Sequence, residues 1–443
     1  MKIIPTCVYI FCLLTIFNGS FVQAQPADPP LEKTERLAVV NAIGQQLKDH
    51  YIFPDVADKM ARKISRNAKK GQYEAIDDVR VFAQQLTDDL VEVSQDKHIR
   101  VIFDPEGIAR QRQAITPEQE RELYEDMVAR NRLVNFGFQQ VKIMEGNVGY
   151  LDLRSFQGTE YAGETAVAAM KFLSNTDALI IDLRKNGGGS PQMIQLISSY
   201  LFGPEPVHLN TFYRRATEQY DQTWTLPHVD GQRNPDTPVY VLTSDRTFSA
   251  AEEFSYNLKN LERATLVGET TGGGAHPGGR ITATDRYQVW VPTGRAINPV
   301  TNTNWEGTGV TPHIEVPQAD ALDKAYLLAL ENLVANNDDE RAQASYQWLS
   351  AGLRARANPV QLDAEGQQVY VGTYGPRSIS LENNQLIYQR DGGTKQPMIP
   401  MGDHWFMFAD IPYFRIQFEM NNATTVALIG HYDNGRQDKN PRD

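Results

Sequence analysis

Cysteine is almost missing from this chain. Its 443 residues include two, Cys7 and Cys12, both near the amino end. If the amino-terminal segment is removed none remains, which excludes disulfides, thiol catalysis and cysteine-ligated zinc together. There is no HExxH pair and no EF-hand loop, so no metal or other cofactor is expected. Neither GxxxxGK[ST] nor GxGxxG occurs, so the usual phosphate cradles are missing. No basic cluster alternates with aromatics, and the formal net charge is −12, which argues against nucleic acid and anionic membranes as partners. Beyond the first residues no apolar run is long enough to cross a bilayer, and no internal repeat is found.

What is present is the composition of a folded protein, 41% hydrophobic and 22% charged, with enough chain for two or three domains. Residues 1–24 read as a signal peptide. Lys2 gives the positive start, 3–17 is apolar but short for a span, and Val22-Gln23-Ala24 offers small residues before a cleavage point ahead of Gln25. The protein is therefore expected to be exported, periplasmic or extracellular, with no membrane insertion after cleavage. An uncleaved anchor is the competing reading.

Residues 31–104 form the first expected unit, a helical bundle. Leu37, Val40, Ile43 and Leu47 recur at helical spacing, as do Val79, Phe82, Leu86 and Leu90. Ser94-Gln95-Asp96-Lys97-His98 then leads into a strand over 99–103, followed by a polar crossing and a charged helix, Pro117–Arg132. Over 117–335 strands alternate with helices, the pattern of an α/β layered domain. A polar linker precedes 344–443, where a helix and then short alternating segments between Asn and Gly turns predict a small antiparallel β domain.

Two segments carry the chemistry. Residues 178–190 read ALIIDLRKNGGGS, and 238–260 read PVYVLTSDRTFSAAEEFSYNLKN. Each is a buried-type strand that feeds a loop and then a helix. The glycine run Gly187-Gly188-Gly189 offers close-set N–H groups with no Cβ in the way. Ser249 sits at a strand–turn–helix junction, where a hydroxyl meets the positive end of a helix. Together these are the parts of a nucleophile and an oxyanion hole. The competing reading is local and structural. Ser249-Ala250-Ala251-Glu252 also spells a capping box, and Thr247 could supply the cap instead.

The ordered motifs DLRxNGGG, TFSAAE, GETTGG and GxGVxP resemble those of the tail-specific (C-terminal processing) serine proteases. Within that family the chain resembles the branch holding the tricorn core and the repeats of interphotoreceptor retinoid-binding protein. The resemblance spans roughly 32–335. It implies a ClpP/crotonase-like spiral for the central domain, peptide or unfolded protein as substrate, and Ser249 as nucleophile. In many relatives a lysine after the serine is the base, but here Gly274 stands in its place. The tricorn-like branch uses a histidine and a glutamate that match His98 and Glu306, with Glu306 orienting His98. Lys97 replaces the serine that stands beside that histidine in the branch. The resemblance implies Gly187 or Gly188 with Ala250 for the oxyanion, and Gly273, Gly274 and His276 for substrate binding. His276 is the rival base. The structural alternatives are a strand-start histidine for His98 and a loop carboxylate for Glu306. Another class of function stays open, a non-catalytic carrier of a hydrophobic ligand such as a retinoid or fatty acid on the same fold. So does an inactive scaffold acting through its β domain.

Overall fold

The computed structural model describes residues 31–113, 116–358 and 360–443; the signal-peptide expectation for 1–24 lies outside them. The helical region consists of Lys33–His50, Pro54–Lys69 and Val79–Ser94. Pro54 starts the second helix, where its missing N–H costs nothing. Asp78 caps the third by accepting from the N–H groups of Arg80 and Val81. The expected faces are buried except at Leu37, which is exposed while Val39 takes the inward place. This core is not purely helical: Tyr287, Val289 and Val291 of the strand Tyr287–Pro292 complete it. That strand pairs antiparallel with Arg100–Phe103 on one side and Gly278–Thr282 on the other. The helices are thus tied to the central region through a shared core and sheet.

The centre is a six-stranded sheet in the order Ile314–Glu315, Thr265–Gly268, Val239–Thr243, Ala178–Asp182, Val148–Leu153, Phe138–Met144. All neighbours are parallel except the last pair. Helices cover both faces. Leu179, Ile181, Val239 and Val241 pack with residues of the helices Thr159–Phe172, Pro191–Leu201 and Ala250–Asn260. Ala178, Ile180, Tyr240 and Leu242 pack with residues of Ala321–Asn336 and Glu340–Ala357. Burial on both faces is why these strands read as unbroken apolar runs rather than alternation. Ala178–Asp182 and Val239–Thr243 are direct parallel neighbours, with Asp182 opposite Leu242. The loops that follow them therefore emerge side by side at the carboxyl ends of the strands, where open α/β sheets carry their sites.

Several elements depart from expectation. The polar crossing holds a short helix, Pro105–Arg112, capped by Asp104. A hairpin, His208–Arg214 with Gln219–Trp224, pairs with Gly294–Ile297. Its strands are largely polar and half-exposed, so they carry little apolar signal. The helix Glu340–Ala357 begins earlier than its expected start at 344, and its Tyr346 and Leu353 pack on the central sheet. Beyond it come two antiparallel sheets of four and five strands around an aromatic core that includes Tyr374, Phe406, Phe414 and Phe418. The class is mixed α/β, with an amino-terminal helical region and carboxy-terminal antiparallel sheets.

Candidate active site

Ser249 closes the turn after Val239–Thr243 and precedes the helix Ala250–Asn260. Its backbone lies at φ +55°, ψ −120°, a conformation that a residue with a Cβ rarely adopts. A capping serine uses extended backbone, and the Ser249 side chain makes no cap hydrogen bond. The residues of the capping box are nevertheless in place, and Ser249 N–H donates to Glu252 Oε2 at 2.8 Å. Thr247, the alternative cap, instead donates its hydroxyl to the Leu183 carbonyl at 2.8 Å and accepts from Ser244 N–H at 2.9 Å. It ties the turn to the neighbouring strand's loop. The buried Asp182 and half-buried Arg184 frame that loop as an ion pair, closed by Tyr150 on one side and the Gln318 carbonyl on the other.

The glycine run presses against this turn. Gly188 has φ +108°, and a Cβ on it would lie 2.9 Å from Ser249 Cβ and 3.0 Å from Ala250 N. Its role as oxyanion donor needs correction: Gly188 N–H is already given to Asn186 Oδ1 at 2.9 Å. The N–H groups of Gly187, Gly189 and Ala250 have no backbone acceptor among the described residues. Gly189 and Ala250 line the cavity beside Ser249. Gly188→Ala forces a Cβ into the nucleophile's own turn at an unfavourable φ. We expect it to cost about 1–3 kcal/mol of stability and at least tenfold in peptide cleavage, read by thermal melting and by kcat/KM.

The cavity, about 250 Å³, is also lined by His98, Gly274 and His276. Ser249 and His98 thus share one wall-to-wall space, although among the described residues no hydrogen bond joins the Ser249 hydroxyl to either imidazole. The expected Ser249–His98 bond is not formed in this structure. The His98 ring packs on Phe248 with centroids 4.7 Å apart. A Cβ at Gly274 would run into the Phe248 ring and stand 2.7 Å from His98 Cε1. The space that a side chain at 274 would enter is therefore filled by His98 and Phe248. Lys97 does not replace the missing lysine: its Nζ donates to the Gly272 carbonyl at 2.6 Å in an exposed contact.

One buried carboxyl anchors the glycine-rich loop. Glu252 accepts from Thr271 Oγ1 at 2.5 Å, Gly273 N–H at 2.6 Å and Gly274 N–H at 2.8 Å, besides Ser249 N–H. Gly273, expected to bind substrate, is thus committed to the fold, whereas Gly274 and His276 border the cavity.

Glu306 also needs correction. Its carboxyl does not meet His98. Its Oε2 accepts from Ala275 N–H at 2.5 Å and lies 3.3 Å from His276 Nδ1. The group that meets both imidazoles is Asp96, which is fully buried. Its Oδ1 accepts from His98 N–H at 3.0 Å and lies 3.7 Å from His98 Nδ1. Its Oδ2 lies 2.9 Å from His276 Nδ1 and accepts from the Tyr51 hydroxyl at 3.2 Å. Electrostatics separate the carboxyls. Burial and the facing Asp96 charge push Glu306 up to about 8, and burial alone pushes Glu253 in the cavity wall up to about 7. Burial would raise Asp96 as well, but its hydrogen bonds to His276 and His98 outweigh this and hold it near 2. Asp96, His276 and Glu306 bring three potential metal-ligand atoms within 4.8 Å, a spacing that the Asp96–His276 hydrogen bond and the Glu306–His276 contact at 3.3 Å already explain.

Sequence reasoning gave no role to Asp96 or Phe248. An acid two residues before a histidine was the one local signal for Asp96. Its pairing with His276, 180 residues away, had none.

Fold and site define an α/β protein with a serine on a strained strand–helix elbow against a glycine loop. Residues 147–316 match the family model described as peptidase family S41, and 33–145 match that of the N-terminal domain of peptidase S41 in eukaryotic IRBP. Over 33–316 the chain belongs to peptidase family S41. It is 33% identical over 128 residues to a carboxyl-terminal-processing protease of Synechocystis, covering 29% of this chain and 28% of that protein. It is 25% identical over 215 residues to the carboxy-terminal processing protease CtpB of Bacillus subtilis, covering 47% and 43%. The chain thus spans less than half the length of these curated relatives. A structure of the photosystem II D1 C-terminal processing protease superposes with a TM-score of 0.40 at 16% identity, over 64% of this chain and 94% of that one. No helix among the described residues is long and apolar enough to cross a membrane.

Proposed function

We propose that this protein is an exported serine endopeptidase acting on peptides or unfolded protein segments. Ser249 Oγ attacks the peptide carbonyl while its proton passes to His98. The resulting oxyanion takes hydrogen bonds from Ala250 N–H and an N–H of the glycine run, Gly189 or Gly187. The C–N bond then breaks as His98 returns the proton to the leaving amine. Water, deprotonated by His98, hydrolyses the acyl ester and restores the serine. The reading needs no metal or organic cofactor. Export rests on the residue pattern of 1–24 alone.

The observation that carries this proposal is the backbone of Ser249. A serine held at φ +55° in a cavity wall, with no cap hydrogen bond from its hydroxyl, is costly as a cap and useful as a nucleophile. The carrier alternative has less support. A cavity of about 250 Å³ is smaller than the roughly 300–1,000 Å³ usual for enclosed small-molecule sites. The carboxy-terminal sheets carry no group of this site and fit a packing or substrate-screening role. A fluorophosphonate probe tests the reading directly. We expect one covalent adduct, mapped to the peptide containing Ser249. A protein that stays unlabelled and leaves unstructured peptides intact is not a serine peptidase.

A further inference from the structure

We propose that Asp96 is the positioning carboxylate of this site and that it serves two imidazoles, His98 and His276, at once. The inference deepens the serine-peptidase reading and rests on it. Asp96 lies between the end of the helical region and the glycine-rich loop, and each of its oxygens is directed to a different histidine. Oδ1 holds the His98 backbone N–H at 3.0 Å and stands 3.7 Å from His98 Nδ1. Oδ2 pairs with His276 Nδ1 at 2.9 Å and takes the Tyr51 hydroxyl at 3.2 Å.

His98 Nδ1 is buried and has no hydrogen-bond partner in this geometry. A buried ring nitrogen left unpaired is costly, and the carboxylate oxygen 3.7 Å away is within a small side-chain rotation of it, which favours the tautomer protonated at Nδ1. Closing that gap puts the proton on Nδ1 and leaves Nε2 as the lone-pair nitrogen, the form a general base requires. It also places a negative charge behind the imidazolium formed when Ser249 is deprotonated.

The groups facing Asp96 are Tyr51, His98, His276 and, across His276, Glu306. Glu306 is the poorer candidate for this work. It reaches only His276, and burial together with the Asp96 charge favours its neutral form. Asp96 is held ionised, because the His276 imidazole bonded to it and the nearby His98 outweigh the cost of its burial.

Two measurements test the proposal. The first is read on the wild-type protein and needs no activity. In the wild-type protein, long-range 15N–1H NMR of the imidazoles should show His98 and His276 both as Nδ1–H tautomers, with signals assigned by their loss in His98→Gln and His276→Gln. An Nε2–H tautomer at His98 overturns the proposal, whether or not the protein cleaves peptides. The second is kinetic. Asp96→Asn should lower kcat/KM by about 10²–10⁴ with KM little changed, and move the acid limb of its pH profile downward, since the imidazolium loses its counter-charge. Glu306→Gln should leave that limb in place. If Asp96→Asn keeps the wild-type rate and limb while Ser249→Ala is inert, the proposal fails and the peptidase reading stands. If the wild type neither labels nor cleaves, both fall.

Discussion

Ser249→Ala is expected to lower kcat/KM on an unstructured peptide by several orders of magnitude, to about the level set by binding and the oxyanion donors alone. The same change is expected to cost almost nothing in stability. A structural cap replaced by alanine loses about 1 kcal/mol. Here the serine side chain makes no cap bond, so there is no such contribution to lose. The box hydrogen bond from Ser249 N–H to Glu252 is one that alanine retains. Backbone strain at φ +55° is common to both residues, worth about 1–3 kcal/mol, and Ser249→Gly should recover part of it. The expected pair of results is therefore an inert Ser249→Ala with an unchanged melting temperature and an inert Ser249→Gly with a raised one. That is the signature of strain kept for function rather than for folding. If purified Ser249→Ala still cleaves, or melts several degrees lower, the residue is a cap after all.

Parts of this site were legible in the chain because local rules and the fold agree there. The strands before the glycine run and before Ser249 are buried on both faces, so they appear as ALIID and VYVLT. A glycine run and a serine at the ends of adjacent parallel strands must meet, and Gly188 does stand against Ser249. What was not legible depends on which donor finds which acceptor across long separations. Gly188 looked like an oxyanion donor, but Asn186, two residues earlier, takes its N–H. Glu306 resembled the partner of His98, but the turn that carries it faces Ala275 and His276. Lys97 stands where the branch has a serine, and its long side chain points away from His98 to reach the Gly272 carbonyl. The polar hairpin His208–Arg214 with Gln219–Trp224 was not legible for a simpler reason, since half-exposed strands of mixed polarity carry no period.

His98→Gln is expected to be the most damaging change outside Ser249, with kcat/KM down by about 10³–10⁴, because members of a nucleophile–base unit fail together. Glutamine occupies a similar volume against Phe248 but cannot accept a proton, so the loss should fall on kcat rather than on folding. The steric record at Gly274 bears on this. A side chain there would need the space now held by the His98 ring and Phe248, so base by histidine and base by lysine from that loop are mutually exclusive arrangements. Gly274→Lys added to His98→Gln should consequently not rescue activity, since Phe248 still blocks it. Lys97→Met should cost less than tenfold, as it removes one exposed hydrogen bond to the loop and no group of the cavity wall. His276→Gln separates the two imidazoles. It should cost less than His98→Gln, because it leaves Asp96 and His98 in place while weakening the support around them. An acid limb in the kcat/KM profile that persists in His98→Gln and vanishes in His276→Gln would reverse the assignment. The base would then be the histidine of the glycine-rich loop, and His98 would be the group that holds Asp96 in register.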